Sequence, residues 1–420
     1  MTDFTADRAA ALAGPGWLRA RRAAAVERFA ALALPTTQDE LWRYTPIGDL
    51  DLDAFALAGT PTDEPAGSLF VDAVVERDAL VVIVDGQLVT VELSAAATTS
   101  GITVSSATDA EPRHLDVPDP DALSALHDAF VADIVTVRIP ARTVVERPIV
   151  VLQLATTGAT ASFPHLVIDA GEQSEVTVLD HWTSSGDGRA LVSPVVELQS
   201  GAAANVSYVN VQDFARGVWA TGHLLVSPGR DATTRAWVAA LGGSYARLYL
   251  DAQLTEQASN VDIAGVYFGE DDQVHDFRSL QDHRATRSLS NLLLKGAAAD
   301  EAHAIYTGMI RVHEGAKATE SFLANRNLVL ADGAHVDSVP NLEIVNENDI
   351  KSCGHAAATG PVDEEHVFYL ESRGVPTEVA QRLIVFGFFD EVVSTVPVAA
   401  VREPLRRAVA EKLSKATVRG

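Results

Sequence analysis

One cysteine stands in 420 residues. A single thiol forms no internal disulfide, which fits a reducing compartment, and a cytoplasmic location is the expectation. No run of about 18 or more uncharged apolar residues occurs, so no membrane-spanning helix is expected. The opening MTDFTADRAAALAGPGW carries acids early and lacks an apolar core, so it does not read as a secretory signal. Positive charge is also short: 32 Lys and Arg against 57 Asp and Glu give a formal net charge of −25. Such a surface repels nucleic-acid phosphates and anionic headgroups, which argues against nucleic acid and membrane as partners. Three catalytic strings are missing as well. No G-x-x-x-x-G-K-[ST] is present to hydrolyse a nucleotide, no G-x-G-x-x-G between a strand and a helix, and no G-x-S-x-G.

What is there belongs to a folded globular chain, with 47% hydrophobic and 21% charged residues. Helical spacing of Trp17, Leu18, Val26, Phe29 and Leu32 predicts an amphipathic helix that ends before Pro35. Thr37, three residues before Glu40, reads as a capping box. Residues 56–68, rich in Gly, Pro and small polar residues, read as a linker that closes an N-terminal helical region at 1–68. A mixed α/β lead-in follows at 69–133. It holds LVVIVDGQLVTVEL, a strand, a DG turn and a strand, and then a short helix within HLDVPDPDALSALHDAFVADI.

From 134 to 360 strand patterns dominate, and a turn carrying glycine recurs at Gly171, Gly201, Gly229, Gly296, Gly315 and Gly333. Short strands over more than two hundred residues without an intervening helix favour a mainly β parallel β-helix, a solenoid of stacked coils; a β-sandwich or jelly roll is the other arrangement with such turns. An open terminal coil exposes unpaired backbone, so helical ends are expected to cover both ends of the stack. Residues 361–420 read as that helical tail. DEEHVFYLESRG forms one helix, with Asp363, Glu364 and Glu365 at its N-terminus, closed by Gly374. TEVAQRLIVFGFFDEVVSTV forms a second, with a stripe of Val379, Leu383, Phe386 and Val392, and VREPLRRAVAEKLSKA a third. The second helix is apolar on more than one face, which reads either as packing or as a docking surface for a partner.

Three strings carry a family resemblance: LPTTQDELWRYTPIGDL, then FRSLQDHRATRSLSNLLLKGAAADEAHAIYTGMIRVHEGAKATESFLANRNLVL, then PNLEIVNENDIKSCGHAAATGPVDEEHVFYLESRGV. Through them the chain resembles the SufB/SufD family of iron–sulfur cluster assembly scaffolds, and within it the SufD branch, since the solenoid body lacks the core cysteine of SufB-type members. The resemblance implies a right-handed parallel β-helix between helical end domains. It implies pairing with a SufB-type paralogue, β-helix to β-helix, and a SufC-type ABC ATPase docked on the C-terminal helical domain. A homodimer of the isolated chain belongs to the same expectation. The chain itself is then expected to be no enzyme, with no tightly bound cofactor of its own; iron or an Fe–S cluster passes through the complex, and a reduced flavin is allowed for there.

Cys353 and His355 are the candidate metal ligands, a soft thiolate and a borderline imidazole that iron–sulfur chemistry accepts. The motif reads Lys-Ser-Cys-Gly-His-Ala, where many relatives have Lys-Cys-Ser-His-Gly-Ala; the Cys-x-His spacing is kept. Two apart on a strand, both side chains share a face. Two ligands do not complete a tetrahedral iron site, so the resemblance implies a site shared across the interface with the paralogue. His283 matches a family histidine; its other reading, and that of His275, is a hydrogen-bonded solenoid residue. Glu270, Asp271 and Asp272 read as a solvated turn. Competing functions are a β-helix carbohydrate-active enzyme working through paired carboxylates, weakened by only 6% aromatics, and a stand-alone metal-binding jelly roll, which needs clustered histidines.

Overall fold

The computed structural model describes residues 3–61, 67–108, 111, 113–345 and 349–416. The N-terminal elements are α1 (Ala6–Ala11), α2 (Gly16–Ala31), β1 (Ala56–Leu57), α3 (Leu69–Ala73), β2 (Ala79–Val84), β3 (Gln87–Leu93), α4 (Ala95–Thr99), β4 (Thr103–Ser105) and α5 (Ala122–Phe130). The strand body runs through β5 (Val135–Ile139), β6 (Ile149–Ala155), β7 (Thr160–Ser162), β8 (His165–Ala170), β9 (Glu175–Ser184), β10 (Ala190–Val192), β11 (Val195–Ser200) and β12 (Asn205–Asp213). It continues with β13 (Val218–Pro228), β14 (Thr233–Ala240), β15 (Tyr245–Leu254), β16 (Asn260–Gly269), β17 (Val274–His283), β18 (Leu289–Ala298), β19 (His303–Val312), β20 (Glu320–Val329), β21 (His335–Ile344) and β22 (Ser352–Gly360). The tail is α6 (Glu364–Glu371), α7 (Thr377–Val393) and α8 (Arg402–Lys415).

Strands alternate between two sheets. One sheet runs β21-β19-β17-β15-β13-β11-β8-β5-β4 and the other β22-β20-β18-β16-β14-β12-β9-β6-β2-β3. Every pairing from β5 to β22 is parallel, so the body is a parallel β-helix of about eight turns. Inward positions of successive coils stack in columns, as in Val206, Thr234, Val261, Ser290, Ser321 and Cys353. Each coil therefore buries its inner face only against its neighbours.

The corner between the two sheets explains the glycine recurrence. Gly171, Gly201 and Gly229 lie one coil apart, and a Cβ on Gly201 would come within 2.6 Å of the Glu172 backbone nitrogen. Backbone stacks on backbone there, and only glycine fits. Two residues further along each corner the chain is left-handed at Arg142, Gln173, Ala203, Asp231, Ala258, Arg287 and Ala318. These are ordinary residues. Each donates its backbone N–H to a carbonyl of the next coil, as Gln173 does to Ala202 and Ala258 to Thr286, and that bond offsets the strained φ. Gly315 and Gly333 also sit in turns, but Gly296 is an interior residue of β18, packed against Tyr267, so its place in the recurrence is a correction.

Other local expectations fare unevenly. Asp85 and Gly86, both at positive φ, close the β2–β3 hairpin that Asp-Gly predicts. Thr37 caps nothing: a 3-10 turn spans Glu40–Trp42 with Asp39 before it, and the Asp39 carboxylate accepts from the Thr36 backbone and hydroxyl. The 56–68 segment is not all linker, because β1 pairs with β7; residues 62–66 lie outside the described residues. On α2 the buried set is Leu18, Arg22 and Ala25, with Trp17, Val26 and Phe29 only half-buried. The Arg22 guanidinium donates to the carbonyls of Leu12, Ala13, Val131 and Ala132, tying α1 and α2 to the entrance of the β-helix.

The two ends of the stack differ. At the first coil β3 and β4 pair antiparallel to β2 and β5, and Ala97 of α4 with Ile102 closes the interior. At the last coil nothing in the described residues lies beyond β21 and β22. The tail does not cover that end, contrary to expectation. It packs sideways on the outer face of the β22-to-β3 sheet, where Val385, Phe389 and Val392 join Val209, Trp237 and Phe268. Polar contacts fix it there: Trp237 donates to the Val392 carbonyl, Lys295 to the Phe388 carbonyl and Glu391, and Lys412 to the Leu241 carbonyl and Gln273. Of the expected α7 stripe only Val392 is buried, whereas Val379 and Leu383 are exposed. Among the described residues no helix is long and apolar enough to cross a membrane.

Candidate functional site

Cys353 and His355 lie on β22, the last strand of its sheet. Cys353 pairs with Ser321 and His355 with Leu323. Both partners are buried and face inward, so the cysteine and the histidine share the inner face of the final coil. Their surroundings differ from those of their partners only because no further coil is stacked upon them. Cys353 is half-buried, packed against the interior cluster that runs the length of the β-helix, and His355 is exposed. Partial burial pushes the Cys353 thiol pKa up, and a hydrogen bond with the Gly354 backbone draws it partly back.

Below this rim the interior is polar. Ser321 and Ser290 are joined hydroxyl to hydroxyl at 2.8 Å, and Gln281 donates to Ser290, Ser321 and the Phe322 carbonyl. His283 is buried, with Nδ1 2.8 Å from Ser288 Oγ and Nε2 2.8 Å from Ser290 Oγ. Burial lowers its pKa to about 4, so it stands neutral at physiological pH. Beside this chain Asn325 donates to the Tyr267 hydroxyl and accepts from Asn327 and Ser338. Buried hydroxyls and amides need such partners. A line of inward-facing polar side chains thus leads from His283 to the coil under Cys353.

The remaining sequence candidates stand apart from the rim. His275 faces inward from β17, fully buried, and burial pushes its pKa down to about 3. Asp271 and Asp272 form a turn that Arg216 pins from two coils back, while Glu270 pairs with Lys412. Asp363 caps α6, accepting from the Glu365 backbone. Among the described residues no third His, Cys, Asp or Glu joins Cys353 and His355; the one group of three is His114, His165 and Glu197, on the outer face of the other sheet. Sequence reading misses that group because its members come from three separate segments.

The rim carries exposed apolar side chains as well. Val339 and Leu342 on β21, Val345 just after it and Phe322 on β20 are all exposed. Far along the body, Trp42 of the ELWRYT string lies flat on the Arg247 guanidinium, 3.6 Å from ring centroid to carbon. Arg247 in turn meets the buried Asp276, so that string clamps the N-terminal region to the middle of the β-helix.

Comparison with known proteins matches residues 153–388, more than half of the chain, to the family described as SUF system FeS cluster assembly, SufBD core domain. An iron–sulfur cluster assembly SufBD family protein of Mycobacterium leprae is 37% identical over 276 residues, covering 63% of this chain and 68% of that protein. Its counterpart in Mycobacterium tuberculosis is 37% identical over 61% of this chain and 65% of its own length, so the match spans about two thirds of these relatives. The iron–sulfur cluster assembly protein SufD of Escherichia coli is 28% identical over 90% of this chain and 89% of its own length.

Proposed function

The chain belongs to the SufBD core family of the SUF iron–sulfur cluster assembly system, and on that footing we propose that it is a non-catalytic, SufD-like scaffold subunit. In this reading the open end of the β-helix pairs with a SufB-type paralogue, and the C-terminal helices dock a SufC-type ABC ATPase. The ATPase supplies the work, since this chain has no phosphate-binding string of its own.

The unfinished last coil carries the proposal. Edge strands with free backbone groups invite another chain to pair with them unless they are blocked. β21 and β22 are such edges, and exposed Val339, Leu342 and Val345 surround them. A partner that continues the stack buries these residues and comes to lie directly over Cys353 and His355. Iron is then cargo at a junction to which this chain brings a thiol and an imidazole, and the partner brings the remaining ligands.

Docking of the ATPase belongs elsewhere. The tail packs sideways with α7's Phe389 face inward, leaving Phe368, Tyr369, Val379 and Leu383 exposed on α6 and α7. Two partners thus have separate surfaces. Gel filtration of the chain mixed with the paralogue and the ATPase tests this. Leu342→Arg should abolish pairing with the paralogue and leave ATPase binding intact; a ternary complex of unchanged yield would refute the placement.

A further inference from the structure

Glu197 projects from the outer face of β11 and is fully buried. Its Oε1 lies 2.9 Å from His165 Nε2, at the start of β8, and 3.1 Å from Nδ1 of His114, on the segment leading into α5. One ligand atom from each of the three lies within 4.8 Å of the others. The second carboxylate oxygen is already held, accepting from the Leu115 backbone at 2.8 Å and from Gln199 Nε2 at 2.7 Å. His165 turns its other nitrogen, Nδ1, to Nε2 of His127 at 3.1 Å, and Nδ1 of His127 lies 2.7 Å from the Ser193 carbonyl.

Proton positions along this chain follow from its fixed end. A carbonyl only accepts, so His127 Nδ1 carries a proton. With one proton per ring, His127 Nε2 accepts and His165 Nδ1 donates to it. His165 Nε2 is then a lone pair aimed at a carboxylate oxygen, which is itself only an acceptor. A positive centre is required between them, either a second proton or a metal ion.

We infer that His114, His165 and Glu197 form a binding site for a divalent first-row transition-metal ion of the zinc type. Two imidazoles and one carboxylate are a donor set that zinc takes up, with a fourth position left for a small ligand. Bonds of about 2.0–2.2 Å set ligand atoms about 3.3–3.6 Å apart around a tetrahedral ion. The two contacts to Glu197 Oε1 are shorter, at 2.9 and 3.1 Å, and all three atoms lie within 4.8 Å of one another, so the side chains need only part by a few tenths of an ångström to admit the ion. The outer partners also fit a metal centre. A ligating histidine ordinarily passes its other N–H to an acceptor, and a ligating carboxylate is itself hydrogen-bonded; His165 does the first, donating Nδ1–H to His127, and Glu197 the second, accepting from Leu115 and Gln199. His114 Nε2 is buried without a hydrogen-bond partner among the described residues, and its ring is held by Glu197 and by packing against Trp17, 5.6 Å between centroids. The ion would pin the 113–117 segment to the β-helix, independently of Cys353 and His355.

The test is equilibrium dialysis of the full chain, stripped with a chelator, against Zn²⁺ alone, with bound zinc read by elemental analysis and folding by circular dichroism. Wild type and a Cys353→Ala/His355→Ala variant should each retain about one zinc. His114→Ala should weaken binding more than tenfold, and Glu197→Gln, which keeps the side-chain shape, should abolish it. Zinc should raise the Tm of wild type but not of Glu197→Gln. With Co²⁺ as probe, the visible spectrum should lack a thiolate charge-transfer band. No retained zinc in wild type means an imidazolium–carboxylate pair and overturns the proposal. Binding that survives both His114→Ala and Glu197→Gln, or that disappears with the Cys353/His355 variant, overturns it equally.

Discussion

Ser321 and Cys353 are partners on adjacent parallel strands, both facing inward, yet Ser321 is sealed and Cys353 half open. The difference lies in position along the stack. Ser321 has a coil above it and Cys353 has none, so the last coil displays as surface what every earlier coil keeps as core.

The Cys353 thiol should react slowly with a disulfide reagent at neutral pH. Partial burial raises its pKa above the ordinary cysteine value, which lowers the thiolate fraction at pH 7 to 8, and the thiolate is the nucleophile. The rate should keep rising with pH beyond the point where a free cysteine has levelled off. Pairing with the paralogue should suppress it further. A rate equal to that of a free thiol, unchanged in the complex, would contradict the placement.

Much of this architecture is legible in the sequence, and the failures have physical causes. Asp85-Gly86 announces its hairpin because the turn demands positive φ at both residues. The coil corners are harder to read, since their left-handed residues are Arg142, Gln173 and Ala203, which are held by bonds to the next coil rather than by composition. Helix α7 is legible as a helix, but it is apolar nearly all round, so periodicity does not select the Val385–Phe389 face over Val379–Leu383. Lysine is ordinarily a surface residue, yet Lys295 and Lys412 are buried, each joining tail to body through a carbonyl and a carboxylate, Phe388 and Glu391 for the first and Leu241 and Glu270 for the second. The two-residue spacing of Cys353 and His355 predicts a shared face; their exposure depends on β22 being the last strand, which only the completed stack reveals.

Asp180→Asn should stabilise the protein at pH 8 and keep only about half of that advantage at pH 5, losing the rest below the unfolded carboxyl value of 3.8. Asp180 is fully buried inside the β-helix, and burial raises its pKa from 3.8 to about 6 against hydrogen bonds from Tyr208, Trp182 and Gln153. The folded state therefore holds the proton more tightly than the unfolded chain does. The stability that protonation confers is fully present below 3.8 and lost as pH rises through about 6. The gain at pH 8 is at most roughly 3 kcal/mol, since each tenfold difference in proton affinity between the folded and unfolded chain is worth about 1.4 kcal/mol. Gln153 Oε1, which lacks a partner among the described residues, could then accept from the new amide. Urea denaturation at the two pH values measures it.

Gly201→Ala and Gly315→Ala should differ in sign. A Cβ at Gly201 strikes the backbone of Glu172 and Gly171, and overpacking of that kind costs about 1–3 kcal/mol. At Gly315 the nearest atom is the Arg284 carbonyl oxygen at 3.6 Å, an ordinary contact. There the lower entropy of the unfolded chain should stabilise by about 0.4–1 kcal/mol. Chemical denaturation of both variants separates close approach from mere flexibility.

Leu383→Glu should leave the fold intact and weaken binding of the ATPase about tenfold or more, read by titration calorimetry. The side chain is exposed on α7, so a charge there has no core to disrupt. Phe389→Ala, on the buried side of the same helix, should instead cost about 3–5 kcal/mol and loosen the whole tail.

The most direct test of the shared junction is iron and acid-labile sulfide measured in the reconstituted complex of this chain, the SufB-type paralogue and the ATPase, with His355→Ala compared with wild type. His355 is exposed at the rim, so its loss should not disturb folding or the yield of complex. The account predicts complexes of normal stoichiometry that carry much less iron and sulfide. Wild-type iron and sulfide in the variant complex would contradict it.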